Sequence, residues 1–134
     1  MRIRAYLRVV GLRDEIQRIG AAEIPRSKTL PLKAKTETGD VYWTWQTEAI
    51  SLNLDDVDEG LYNLLSAYRS FFGVIRTGQP ETDIYLQMVS EYAEGEEPCG
   101  LAVSAKTIQL LSELGGALDN DCVYLLNPMV PVSI

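Results

Sequence analysis

The 134-residue sequence has no histidine and only two cysteines, and no apolar run in it approaches the ~20 residues needed to cross a bilayer. Each absence excludes something. Without imidazole there is no ordinary general base near neutral pH, no usual partner for a serine or cysteine nucleophile, and none of the commonest zinc ligand. Carboxylate, lysine or tyrosine chemistry stays open, so the composition argues against catalysis without closing the question, and no catalytic residue is assigned. Cys99 and Cys122 can form at most one pair, which is not the framework of a disulfide-stapled secreted domain. Both lie in segments that read as strands and are expected to be reduced, buried and inert. The first residues alternate arginine with apolar side chains instead of building a signal-peptide core, so the expected location is cytoplasmic. A Gly-rich phosphate loop, a nucleophile elbow and a paired-cysteine zinc pattern are also missing, and neither a cofactor nor a metal is expected.

What is present suits a folded chain. Hydrophobic residues make up 46% and charged residues 23% of the sequence, enough apolar material for one core, and residues 1–134 are expected to form a single α+β domain. Residues 3–9 alternate with period two, which puts Ile3, Ala5, Leu7 and Val9 on one face of a strand and Arg2, Arg4, Tyr6 and Arg8 on the other. Ile16 and Ile19 mark a short helix that Gly20 can close as a left-handed cap. Residues 21–40, with Pro25, Pro31 and Gly39, read as a long basic loop. Val41 to Thr47 is a clear strand with Val41, Trp43 and Trp45 on one side.

Leu61, Leu64, Leu65, Tyr68, Phe71, Phe72 and Ile75 recur at helical spacing and predict one long helix, capped by Asp55 or Asp56 and stopped by Gly78 and Pro80. Asp83 to Tyr92 alternates as a strand, and with Cys99, Leu101 and Val103 it suggests a β-hairpin around the turn at Glu94–Pro98. Ser104 can cap a helix that ends at Gly115 and Gly116, and residues 117–126 read as a last strand before a proline-containing tail. From Val41 onward this order matches the split βαβ core of ferredoxin-like folds, preceded by a strand and short helix: a mainly antiparallel sheet with helices on one face.

The run "AYLRVVG", a short helix followed by Pro25, the strand with Trp43, Trp45 and Thr47, the long amphipathic helix and the ending "LSELGGALDNDCVYL" together resemble a bacterial family catalogued as domain of unknown function 4279. The resemblance spans almost the whole chain. It implies structural roles for Trp43 and Gly115 and brings no established activity, so no site residues follow from it.

Charge is unevenly distributed along the chain. Residues 1–35 hold nine Arg and Lys against three acids, whereas residues 36–134 hold three against sixteen, and the whole carries −7. The plain account is that the arginines of the first strand pair across a sheet with acids such as Glu48 or Glu91. The functional account is an acidic surface that steers toward a basic protein, in the manner of an immunity-like inhibitor of a toxin or nuclease. The interface residues expected for this are Glu94, Glu96 and Glu97 in one loop, with Asp55, Asp56, Asp58 and Glu59 at the helix start.

Three other readings compete. A small-molecule pocket between sheet and long helix could use Tyr42, Trp43 or Tyr68 with a carboxylate, possessing or lacking chemistry of its own. Self-assembly into a homodimer could use an exposed edge, either the first strand or the Val130–Pro131–Val132 tail. Arg2, Arg4, Tyr6 and Arg8 could contact nucleic acid, against which the net acidity argues. Asp119 and Asp121 share a strand face, but two carboxylates without further clustered ligands are a weak metal signal. No contact with a membrane is expected.

Overall fold

The structure is a computed structural model that describes residues 1–76, 79–97 and 100–125. The chain runs β1 (Arg2–Leu12), α1 (Arg13–Ala21), β2 (Ser27–Lys35), β3 (Val41–Thr47), β4 (Ile50–Leu52), α2 (Val57–Tyr68), α3 (Phe72–Ile75), β5 (Asp83–Tyr92), α4 (Ala105–Leu114) and β6 (Ala117–Tyr124). Single 3-10 turns at Leu54–Asp56 and Arg69–Phe71 lead into α2 and α3.

The alternation in β1 is realised as read. Ile3, Ala5, Leu7 and Val9 are buried beneath the helices, and the alternate residues face away. This strand is the centre of the sheet, whose order is β2-β3-β1-β5-β6 with β4 also on β1. It pairs antiparallel with β3 through Arg8↔Gln46 to Leu12↔Tyr42, with β4 through Ile3↔Leu52, and with β5 through Arg2↔Glu91 to Val10↔Asp83. A strand hydrogen-bonded on both sides cannot be a docking edge, which corrects the expectation that β1 mediates self-assembly. Among the described residues β2 and β6 end the strand order and β4 pairs with β1 alone, and the Val130–Pro131–Val132 tail lies outside them.

The fold is α+β with a mostly antiparallel sheet. β3 and β5 both run antiparallel to β1, so they are parallel to each other with β1 between them, and α2 connects them as a split βαβ unit. The second βαβ unit, β5-α4-β6, places β6 parallel to β5 from Tyr85↔Ala117 to Tyr92↔Tyr124. Residues 100–103 form no strand, so among the described residues the expected hairpin with β5 is absent. Leu101 and Val103 instead pack on the core from an irregular segment, which reproduces the apolar alternation without a ladder.

The basic segment 21–40 contains a strand that the sequence hid. β2 pairs with β3 from Ser27↔Thr47 to Pro31↔Trp43, then shifts register before Lys35↔Val41. It is an edge strand, so Pro31 costs no essential ladder bond, and the exposed Lys28, Lys33 and Lys35 with the register shift discourage a further strand from adding. Gly20 does not cap α1, which runs one residue beyond it. A Cβ there would lie 2.6 Å from Thr29 Oγ1, so the glycine lets α1 approach β2 closely.

The long apolar stripe is likewise divided. α2 gives way at Tyr68 to the 3-10 turn and then α3, and Leu61, Leu64, Leu65, Tyr68, Phe72 and Ile75 stay buried across the break. Asn53, not Asp55 or Asp56, supplies the side-chain cap, accepting from Asp55 N at 3.1 Å. Gly78 lies outside the described residues. Ser104 does cap α4, its Oγ accepting from Thr107 N at 3.4 Å, and Gly115 ends it at φ 76. Trp45 is fully buried in the core formed by the sheet and the helices, with its indole Nε1 lacking a hydrogen-bond partner among the described residues. Truncating it to alanine would cost about 3–5 kcal/mol.

Candidate functional site

The sheet topology decides where the acidic residues gather. β4 ends at Leu52 opposite Ile3, and β5 runs out past Glu91 opposite Arg2. The segments that follow, Asn53–Glu59 and Ala93–Glu97, therefore leave from the same end of the sheet. Two contacts fasten this end. The Asp58 carboxylate accepts from Ser104 N at 2.8 Å, tying the start of α2 to the start of α4. Glu96 takes the N-terminal ammonium of Met1 with one oxygen and Ala93 N, at 2.9 Å, with the other.

These bonds tune the two carboxyls. The Ser104 amide beside Asp58 holds its pKa below the usual carboxylate range, with Lys106 adding a smaller pull in the same direction. The terminal ammonium, followed by the Ala93 amide, does the same for Glu96. Asp58 and Glu96 are thus committed within the chain, which removes them from the set free to meet a partner. Among the described residues the side chains of Asp55, Asp56, Glu59, Glu94 and Glu97 make no hydrogen bond or ion pair, and all five residues are exposed.

The basic residues of β1 are largely answered by this same end. Arg4 donates to Glu91 at 3.1 Å and Arg2 lies 3.8 Å from its other oxygen, the cross-strand pairing expected for Glu91. Among the described residues Arg8 has no such partner, so the row Arg2, Arg4, Tyr6 and Arg8 offers one guanidinium unpaired among them. Asp119 and Asp121 lie on the sheet face away from the helices, where Asp121 accepts from Gln87 Nε2 at 3.3 Å. Among the described residues no group of three or more metal-ligating side chains comes together. Cys122 is exposed on β6, a correction to its expected burial that follows from the edge position of this strand, and Cys99 lies outside the described residues.

Tyr42, Trp43 and Tyr68 do not converge on one pocket. Successive residues of β3 point to opposite faces, so Tyr42 lies on the open side of the sheet and Trp43 on the helix side. Trp43 lines a surface cleft of about 660 Å³ with Leu12, Pro31, Arg13, Asp14 and Asp40, and the Arg13 guanidinium lies 5.9 Å from its ring centre. Tyr68 lines a separate groove of about 380 Å³ between α2, the Pro25–Arg26 turn and the Glu48–Ile50 segment. Its hydroxyl donates to the Pro25 carbonyl at 3.2 Å, and burial pushes its pKa up. A third recess, about 410 Å³, runs between α4 and β6 along Ile108 and Leu118.

The sequence marks Tyr68 as a pocket candidate with an unspecified carboxylate and Phe71 as part of the apolar helix stripe, while Arg26 and Asn63 carry no pocket signal in it. Neither a family model nor a curated protein matches the chain. No helix among the described residues is long and apolar enough to cross a membrane.

Proposed function

We propose that this chain is a non-catalytic binding protein whose recognition surface is the acidic end of the sheet and whose partner is a basic protein surface, as for an inhibitor or immunity protein acting on a basic toxin or nuclease. One observation carries the reading. Five carboxylates from two segments far apart in sequence lie exposed at one end of the sheet without a partner among the described residues, while the neighbouring Asp58 and Glu96 fasten the segments that bear them. Fixed loops with unpaired charges of one sign suit steering and docking of an oppositely charged surface. The membership in family 4279 suggested by the sequence is part of this proposal and adds no activity to it.

The test is an amide-resonance titration of the isotopically labelled protein with an arginine-rich peptide and, in parallel, with its glutamine-substituted counterpart. Shifts from the arginine peptide should concentrate at residues 53–59 and 93–97. They should fade toward about 1 M salt, where the Debye length is about 3 Å. The variant carrying Asp55→Lys, Glu59→Lys, Glu94→Lys and Glu97→Lys should lose the interaction while keeping its fold. Equal response to the glutamine peptide, or shifts that survive the fourfold charge reversal, would refute the assignment.

A further inference from the structure

The groove beside Tyr68 shares no residue with the acidic loops. Its walls are apolar: Ile50, Leu64, Ala67 and Phe71 line it, and Leu64 is buried at its base. Its rim carries Arg26 and Glu48. Glu48 N donates to the Arg26 carbonyl at 2.7 Å, so the two opposite charges leave the rim from adjacent points of the backbone. They nevertheless form no ion pair with each other or with any other group among the described residues. Both are close enough to the Tyr68 hydroxyl to act on its ionisation, in opposite directions.

The turn that presents Arg26 is unusual. Arg26 has φ 53 and Glu23 has φ 54, the left-handed region that side chains with a Cβ seldom occupy. Three contacts hold this conformation: Tyr68 to the Pro25 carbonyl, Ser27 Oγ to the Ile24 carbonyl at 2.6 Å, and the Glu48 amide to Arg26. Strained backbone persists where its surroundings determine it, and such positions concentrate at ligand sites. Here the strain sets a guanidinium on the rim of an apolar groove, next to a carboxylate that it does not neutralise.

We propose that this groove binds a free α-amino acid with an apolar side chain. Arg26 takes the carboxylate, Glu48 takes the ammonium, and the side chain lies between Ile50, Leu64, Ala67 and Phe71. An α-amino acid carries both charges on one carbon, which matches opposite charges presented side by side. A peptide C-terminus offers the carboxylate alone, and a peptide N-terminus the ammonium alone. The volume of about 380 Å³ falls in the lower part of the ~300–1,000 Å³ range of small-molecule sites.

Isothermal titration and amide-resonance mapping with L-phenylalanine and L-leucine test this directly. Either amino acid should shift the resonances of residues 48–50 and 63–71. N-acetyl-L-phenylalanine, which lacks the ammonium, and L-phenylalaninamide, which lacks the carboxylate, should each bind roughly tenfold more weakly or worse, the factor expected for one charge-assisted hydrogen bond. Glu48→Gln and Arg26→Gln should each weaken binding by a similar factor. Ala67→Leu, at an exposed helical position, should block the groove while keeping the circular dichroism of the parent. Silence of these resonances at saturating amino acid overturns the proposal. So does equal affinity for the N-acetyl derivative, which would indicate a peptide C-terminus as the occupant, or equal affinity in the Glu48→Gln protein.

Discussion

The Asp58 contact lends itself to a quantitative test, because two substitutions separate its charge from its hydrogen bond. Asp58→Ala removes the acceptor that meets Ser104 N at 2.8 Å and the negative charge in the first turn of α2. Hydrogen bonds to charged groups contribute about 1.5–3 kcal/mol, and partial exposure favours the low end of that range. The favourable charge at the helix start adds about 0.3–1 kcal/mol. Asp58→Ala should therefore cost about 2 kcal/mol near neutral pH. Asp58→Asn, which keeps an acceptor oxygen, should cost less than about 1 kcal/mol. Urea unfolding with a slope of about 1–3 kcal/mol/M would show the alanine variant as a midpoint lowered by about 1 M. The pH dependence follows from the direction of the shift. The folded state holds the Asp58 pKa below its unfolded value of about 3.9, so the stabilisation is complete above about pH 5 and is lost as pH falls through the lowered folded value. The gap between the parent and Asp58→Asn should thus close in acid. An alanine variant as stable as the parent at pH 7, or a gap of constant size down to strong acid, would show that Asp58 does not join α2 to α4 energetically.

Two glycine substitutions should act with opposite signs. A Cβ at Gly115 or at Gly73 would meet nothing within 4 Å, but Gly115 sits at φ 76 whereas Gly73 lies within α3. Gly115→Ala should lose about 1 kcal/mol and Gly73→Ala should gain about 0.5–1 kcal/mol, read as opposed shifts in thermal midpoint. Glu91→Gln should cost about 1–2 kcal/mol, because it weakens the pair with Arg4, whose Nε is already buried without a hydrogen-bond partner among the described residues. A loss that vanishes completely in high salt would mean that only the exposed Arg2 contact matters.

The elements legible in the sequence are those with one buried face. β1 is one such element, since each of Ile3, Leu7 and Val9 has to be apolar for the same reason. Ser104 and Gly115 were legible because their chemistry acts within four residues of themselves. β2 was not, since an edge strand exposed on much of both faces has no need to alternate, and Pro31 with three lysines resembles a loop. The place of β1 between β3 and β5 is set by pairings across the chain, which leave no local mark. Of the acidic site, the residue types were readable, but the commitment of Asp58 and Glu96 to backbone and terminus was not. The Tyr68 groove was nearly invisible, because arginine at position 26 gives no hint of a left-handed conformation that glycine or asparagine would have announced.

The central position of β1 has a consequence for how the protein acquires its shape during synthesis. All three strands that pair with β1, namely β3, β4 and β5, are translated after it, and the Arg4–Glu91 contact joins residues 87 positions apart. The apolar row of β1 must therefore wait on the ribosome until β5 has emerged, and such long-range pairings slow folding. Nascent chains arrested before residue 83 should be protease-sensitive and dependent on chaperones, whereas those extended past β5 should gain resistance in one step.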